Sequence, residues 1–172
     1  MNYIDAKDAD DIRDGAIKLH SPDDFEGMRK AGRLAAECLD MLVPMVKPGV
    51  TTAELDKAAF DFVIENGGVP ACLGYRGYQH TVCTSINHVV CHGIPNPKPL
   101  KNGDIVNIDV TVIVDGWHGD TSRMYPVGEI NRRAERLINI TYDSLMLGLD
   151  AVKPGNTTGD ICLLYTSPSP RD

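Results

Sequence analysis

The sequence lacks the marks of a membrane, nucleic-acid or disulfide protein. No apolar stretch approaches the ~20 residues needed to span a bilayer. No lysine or arginine run offsets the formal net charge of −7, which argues against polyanionic partners, whether nucleic acid or anionic lipid. The opening segment, MNYIDAKDADDIRDGAIKLH, is polar and acidic and has no apolar core of a secretory signal. Cysteine occurs five times, at Cys38, Cys72, Cys83, Cys91 and Cys162, but never as a CxxC pair. An odd number without framework spacing suggests reduced thiols in a cytosol.

What is present suits an ordered globular protein. Of 172 residues, 42% are hydrophobic and 24% charged, enough for one or two small domains with a real core. Residues 1–20 read as a flexible arm. Ser21, Pro22 and Asp24 then form a helix start, with Ser21 as N-cap and Asp24 closing a capping box. Leu34, Ala35, Cys38, Leu39, Leu42 and Val46 follow at helical spacing. VKPG (46–49) stops that helix. Thr51 and Glu54 open a second, which runs to about Asn66. From Val69 the texture changes to short strands and loops. TVCTSIN (81–87) reads as a strand and HGIPNPKPLKNGD (92–104) as a Pro/Gly-rich loop. Two further strands, 104–114 and 117–127, flank Asp115-Gly116, a type I′ hairpin signal. A third helix is expected from about Asn131 to Val152.

The chain then repeats itself. VKPGVTTAEL (46–55) returns as VKPGNTTGDI (152–161), each copy after a helix and each with a capping box, Thr51 with Glu54 and Thr157 with Asp160. This reads as a duplicated architecture, or as a common helix stop recurring by chance. CLLYTSPSPRD (162–172) departs from the repeat. Its Pro168 and Pro170 speak against a continuing helix. The stretch matches, without a mismatch, the translation of a transposase-type sequencing-library adapter. The native sequence is therefore expected to end at Ile161, leaving a domain over 21–161 and a non-native tail over 162–172.

The chemistry sits in the hairpin VNIDVTVIVDGWHGD (106–120). With a two-residue turn, Val114 pairs with Trp117, Thr111 faces Asp120 and Asp109 faces Ser122. Alternation puts Val106, Ile108, Val110, Val112 and Val114 on a core face. Asp109 and Asp120 become diagonal neighbours on the other face. Close carboxylates repel unless they share a proton or a cation. They are either metal ligands, with two ions ~3.5–4 Å apart as one arrangement, or part of a solvated strand face with a hydroxyl capping Asp109. Two aspartates do not fill the shell of two metals. His92, in VVCHGIP, is either a proton shuttle at the site's mouth or a surface loop histidine. Cys72, Tyr75, Tyr78 and Cys83 either line a pocket suited to a flexible thioether or belong to ordinary core.

Together, ACLGYRGY, SINHVVCHGIP, GDIVNIDVTVIVDGWHGDTSRMY and VKPG, in this order and spacing, resemble the type I bacterial methionine aminopeptidases, M24 metallopeptidases of pita-bread fold. The resemblance runs from about Ser21 to Ile161. It implies the N-terminal half of a duplicated α/β (α+β) fold, an antiparallel sheet with helices on one face. It also implies removal of the initiator methionine from nascent chains by dimetal-activated water, in a bacterial cytoplasm. The implied cofactors are two divalent ions, Co, Mn, Fe or Zn. Asp109 would be a bidentate ligand of one ion and Asp120 would bridge both. His92 would contact substrate and assist proton transfer, and Cys72, Tyr75, Tyr78 and Cys83 would line the methionine pocket. Asn87 and Val89 would offer backbone carbonyls to a monovalent cation. The implied partners are nascent N-termini at the ribosome, with no direct nucleic acid, no membrane and a monomeric full-length protein. The family's remaining ligands, a histidine and two glutamates, have no counterpart here, so this chain alone is expected to be inactive. Rival readings are a prolidase-like dipeptidase and a non-catalytic binding module of the same fold. A thiol hydrolase using Cys91 and His92 is disfavoured, because adjacent residues on extended chain point to opposite faces.

Overall fold

The computed structural model describes residues 3–5 and 17–166. The chain divides into two compact units at Gly128–Glu129.

In the first unit, helix α1 (Pro22–Leu42) starts as its sequence dictates. The Ser21 hydroxyl accepts the Asp24 N–H, and the Asp24 carboxylate accepts the Ser21 N–H at 2.8 Å. Its apolar stripe, Ala31, Leu34, Ala35, Cys38, Leu39 and Leu42, is buried. The helix stops short of the expected Val46. Pro44 brings no N–H to the next turn, and Val43–Met45 tighten into a 3-10 turn. Val46 is buried all the same. After VKPG, Thr51 and Glu54 form the second reciprocal cap, opening α2 (Thr52–Glu65).

The long strand β5 (Ile105–Val114) organises the sheet. One edge pairs with β6 (Trp117–Pro126) through the Asp115-Gly116 turn, whose φ values of 50° and 84° are those of a type I′ turn. The other edge pairs with β4 (Val82–Ile86) and the short β3 (Val69–Pro70), and every pairing is antiparallel. Val106, Ile108, Val110, Val112 and Val114 are all buried with the stripes of α1 and α2. Helix α1 crosses β6 at Gly119, where a Cβ would lie 2.2 Å from the Ala31 carbonyl oxygen. Glycine there sets how closely helix and sheet approach.

Where a flexible arm is expected, β1 (Tyr3–Asp5) pairs in parallel with β2 (Ile17–Leu19). Pairing satisfies backbone groups that a loose arm would leave to water. Residues 6–16 lie outside the described residues.

Among the described residues, the second unit holds two helices. Asn131 caps α3 (Arg132–Asp150), accepting the Arg133 and Ala134 N–H groups. VKPG (152–155) repeats the earlier turn in geometry as well as sequence, since Gly49 and Gly155 have φ of 94° and 93°. The Asp160 carboxylate accepts the Thr157 N–H and hydroxyl, as Glu54 does for Thr51. Helix α4 (Thr158–Thr166) corrects one expectation: it continues through Cys162, Leu163 and Leu164. Pro168 restricts the residue before it and the turn that needs its N–H, so the helix is free to run to Thr166. Residues 167–172 lie outside the described residues. Along α3 only Gly148 is buried, while Leu137, Ile140, Leu147 and Leu149 are exposed. Among the described residues no helix is long and apolar enough to cross a membrane.

Candidate metal and substrate site

The pairing register is the one the hairpin chemistry requires. Asp109 stands opposite Ser122, and Thr111 opposite Asp120. The Thr111 hydroxyl donates to the Asp120 carboxylate at 2.9 Å, so the neighbouring hydroxyl sits on Asp120 rather than on Asp109. Burial, and then the charge of Asp120, push the Asp109 carboxyl above its usual range, while His92 pulls it back. A carboxylate penalised by its neighbour gains from a cation placed between them. Two adjacent carboxylates match the hard-oxygen preference of a divalent ion. Among the described residues, no group of three or more His, Cys, Asp or Glu side chains is disposed to hold a metal. Asp109 and Asp120 therefore fit part of a coordination shell.

The pocket residues arrive from the other edge of β5. Cys83, on β4, stands opposite Asp109. The Ala71 N–H donates to the Thr111 carbonyl at 2.9 Å, tying the loop after β3 to β5. Cys72 follows and its thiol meets the Thr111 side chain. Burial, with help from the aspartates, pushes both the Cys72 and Cys83 thiols up. They remain neutral, soft, half-buried groups beside the carboxylates. Tyr78 donates its hydroxyl to the Val82 carbonyl at 2.9 Å and also meets Cys83. Tyr75 is placed differently. It is 64% exposed on a tight turn, with the Arg76 guanidinium 5.4 Å from its ring centre.

His92 lies in an exposed loop, at φ 54°, close enough to act on Asp109. Asn87, also left-handed at φ 54°, bonds through its side chain to Asp104 and to the Ile105 N–H. With Val89, whose N–H reaches the Ile86 carbonyl, it forms the turn that ends β4.

Sequence reasoning missed Asp56. Its Oδ1 accepts the Thr81 and Val82 N–H groups at 2.8 and 3.0 Å, and its Oδ2 lies 3.0 Å from His80 Nδ1. The His80 ring meets Tyr78 edge-on. One side chain of α2 thus pins the chain where the pocket loop becomes β4. Asp56 is separated by 24 residues from His80, and nothing in the sequence links them. Asp56→Ala would leave two buried N–H groups unpaired, an expected loss of about 2–4 kcal/mol, to be read from urea unfolding. An unchanged midpoint would contradict this.

Comparison with known proteins places the sequence and its fold in a family. A profile of metallopeptidase family M24 matches residues 26–166. The methionine aminopeptidase of Rickettsia prowazekii is 58% identical over 145 residues, which cover 84% of this chain and 56% of that protein. That of Escherichia coli is 60% identical over 142 residues, covering 81% and 54%. The crystal structure of the Rickettsia prowazekii methionine aminopeptidase aligns with a TM-score of 0.85 at 56% identity, over 87% of this chain and 60% of that one. The chain spans about half the length of the curated relatives it matches. With the profile covering most of the sequence and the solved relative sharing its mixed helical and antiparallel architecture, the chain belongs to metallopeptidase family M24.

Proposed function

We propose that this chain is part of a methionine aminopeptidase, which removes the initiator methionine from nascent proteins. The observation that carries the reading is the meeting of Asp109 and Asp120 on one sheet face, beside the neutral thiols of Cys72 and Cys83. Asp109 would hold one divalent ion and Asp120 would bridge two, drawn from Co, Mn, Fe or Zn. The chemistry such ions supply when bound is Lewis-acid polarisation of a carbonyl and a lowered pKa for water. The described residues supply two carboxylates, so the activity needs further donors.

The chain's own groups divide the remaining work. Cys72, Cys83 and Tyr78 offer a polarisable, uncharged wall to a thioether side chain, and Tyr75 would line the same pocket. His92 would contact the substrate and carry a proton at the scissile peptide. The carbonyls of Asn87 and Val89 would take a monovalent cation. The setting is a bacterial cytoplasm, the substrates nascent N-termini at the ribosome, and the whole protein a monomer.

The test is release of free methionine from a Met-Ala-Ser peptide by the full-length protein of which residues 21–161 are a part, with Mn(II) or Co(II) and with chelator. Turnover that chelator abolishes supports the reading. Cleavage of Xaa-Pro dipeptides instead would transfer it to the prolidase-like alternative.

A further inference from the structure

His92 holds a backbone conformation that non-glycine residues rarely adopt, with φ at 54°. Such a residue persists only where its surroundings hold it. Two hydrogen bonds grip the next residue. The Thr84 N–H donates to the Gly93 carbonyl at 2.7 Å, and the Gly93 N–H donates to the Ser85 hydroxyl at 3.1 Å. The fit leaves no slack, since a Cβ on Gly93 would lie 2.1 Å from the Thr84 carbonyl oxygen.

Ser85 is not an ordinary strand residue. It is 3% exposed. Alternation along β4 places it on the face of Cys83, opposite Asn107 in the register. Its hydroxyl is thus on the side of the candidate site, yet it is engaged by loop backbone. The Thr84 bond uses main chain alone and does not depend on the side chain at position 85. The Ser85 bond is the only one of the two that depends on a side chain.

We propose that Ser85 is a positioning residue: by accepting the Gly93 N–H, its hydroxyl keeps His92 in its left-handed conformation at the edge of the candidate site. The inference rests on the role proposed above for His92. Losing the hydroxyl leaves Gly93 on one hydrogen bond, and His92 relaxes from its left-handed conformation. The residue never touches substrate and acts only through the loop.

The experiment compares the unsubstituted 172-residue chain with Ser85→Ala and Ser85→Thr by NMR. In Ser85→Ala, exchange of the Gly93 amide should quicken roughly five-fold or more, the worth of one net hydrogen bond. The Cε1–Hε1 signal of His92 should move, while those of His80 and His118 stay. Ser85→Thr keeps the hydroxyl and should restore both signals. If its extra methyl disturbs the fold, Gly93→Ala replaces it. That variant pushes the loop off β4 and should move the His92 signal alone. An unmoved His92 signal in Ser85→Ala overturns the proposal, and so does an equal shift of all three histidines, which reports general loosening. In the full-length protein of which residues 21–161 are a part, Ser85→Ala should lower kcat for Met-Ala-Ser release and leave KM near its original value. No turnover by the unsubstituted full-length protein, further donors included, would sink the peptidase reading, while the NMR signals still decide the role of Ser85.

Discussion

Asp109→Asn or Asp120→Asn is expected to weaken divalent-cation binding at least ~10-fold and, without cation, to make the chain more stable at neutral pH. The two effects share one cause. Burial and the Asp120 charge raise the Asp109 carboxyl, so the folded chain holds that proton more tightly than the unfolded one. Between the unfolded carboxyl range near ~4 and the raised folded value, the folded state binds more protons, and stability falls as pH rises. Above that window the cost is fully present. Asparagine at position 109 cannot ionise, so the cost disappears with the charge. Melting curves in chelator from pH 4 to 8 should show the variant pulling ahead as pH rises. Calorimetry with Mn(II) reads the affinity. A variant that melts lower at pH 7, or binds Mn(II) equally well, would show that the carboxylates are an ordinary strand face.

Gly119→Ala should be among the most damaging single-methyl changes in the first unit. The added carbon would lie 2.2 and 2.3 Å from the Ala31 carbonyl oxygen and carbon, and 2.6 Å from the Gly32 nitrogen. All three are main-chain atoms in the middle of α1, and no rotamer change relieves them. The helix must lift off the sheet, loosening the packing of Leu34, Ala35 and Cys38 over β5. An expected loss of about 3 kcal/mol or more follows, which lowers the melting midpoint by roughly 6–12 °C. Gly32→Ala is the control. A Cβ there meets nothing within 4 Å, and alanine suits a helix better by about 0.5–1 kcal/mol. Equal losses in the two variants would contradict the close helix–sheet contact.

The sequence by itself determined whatever is settled within a few residues. The caps at Ser21 and Thr51, the Asp115-Gly116 turn and the alternation along 105–114 depend on hydrogen bonds and steric preferences of near neighbours. A two-residue turn fixes the register, and that register alone brought Asp109 and Asp120 to one face. The repeated VKPG turn was legible for the same reason. Tertiary structure decided what joins distant segments or ends an element. Asp56 reaching Thr81, Ser85 holding Gly93, and Gly119 accepting the backbone of α1 are contacts between segments that no periodicity connects. Tyr75 shows the same limit. Spacing grouped it with Tyr78, but the tight turn between them left one ring exposed and the other against Cys83. Helix α4 ran past Ile161 because the prolines that should stop it act only on their own turn. Local hydrogen bonding is written in residue order, whereas packing depends on which surfaces meet, and in this chain the supports of the site belong to packing.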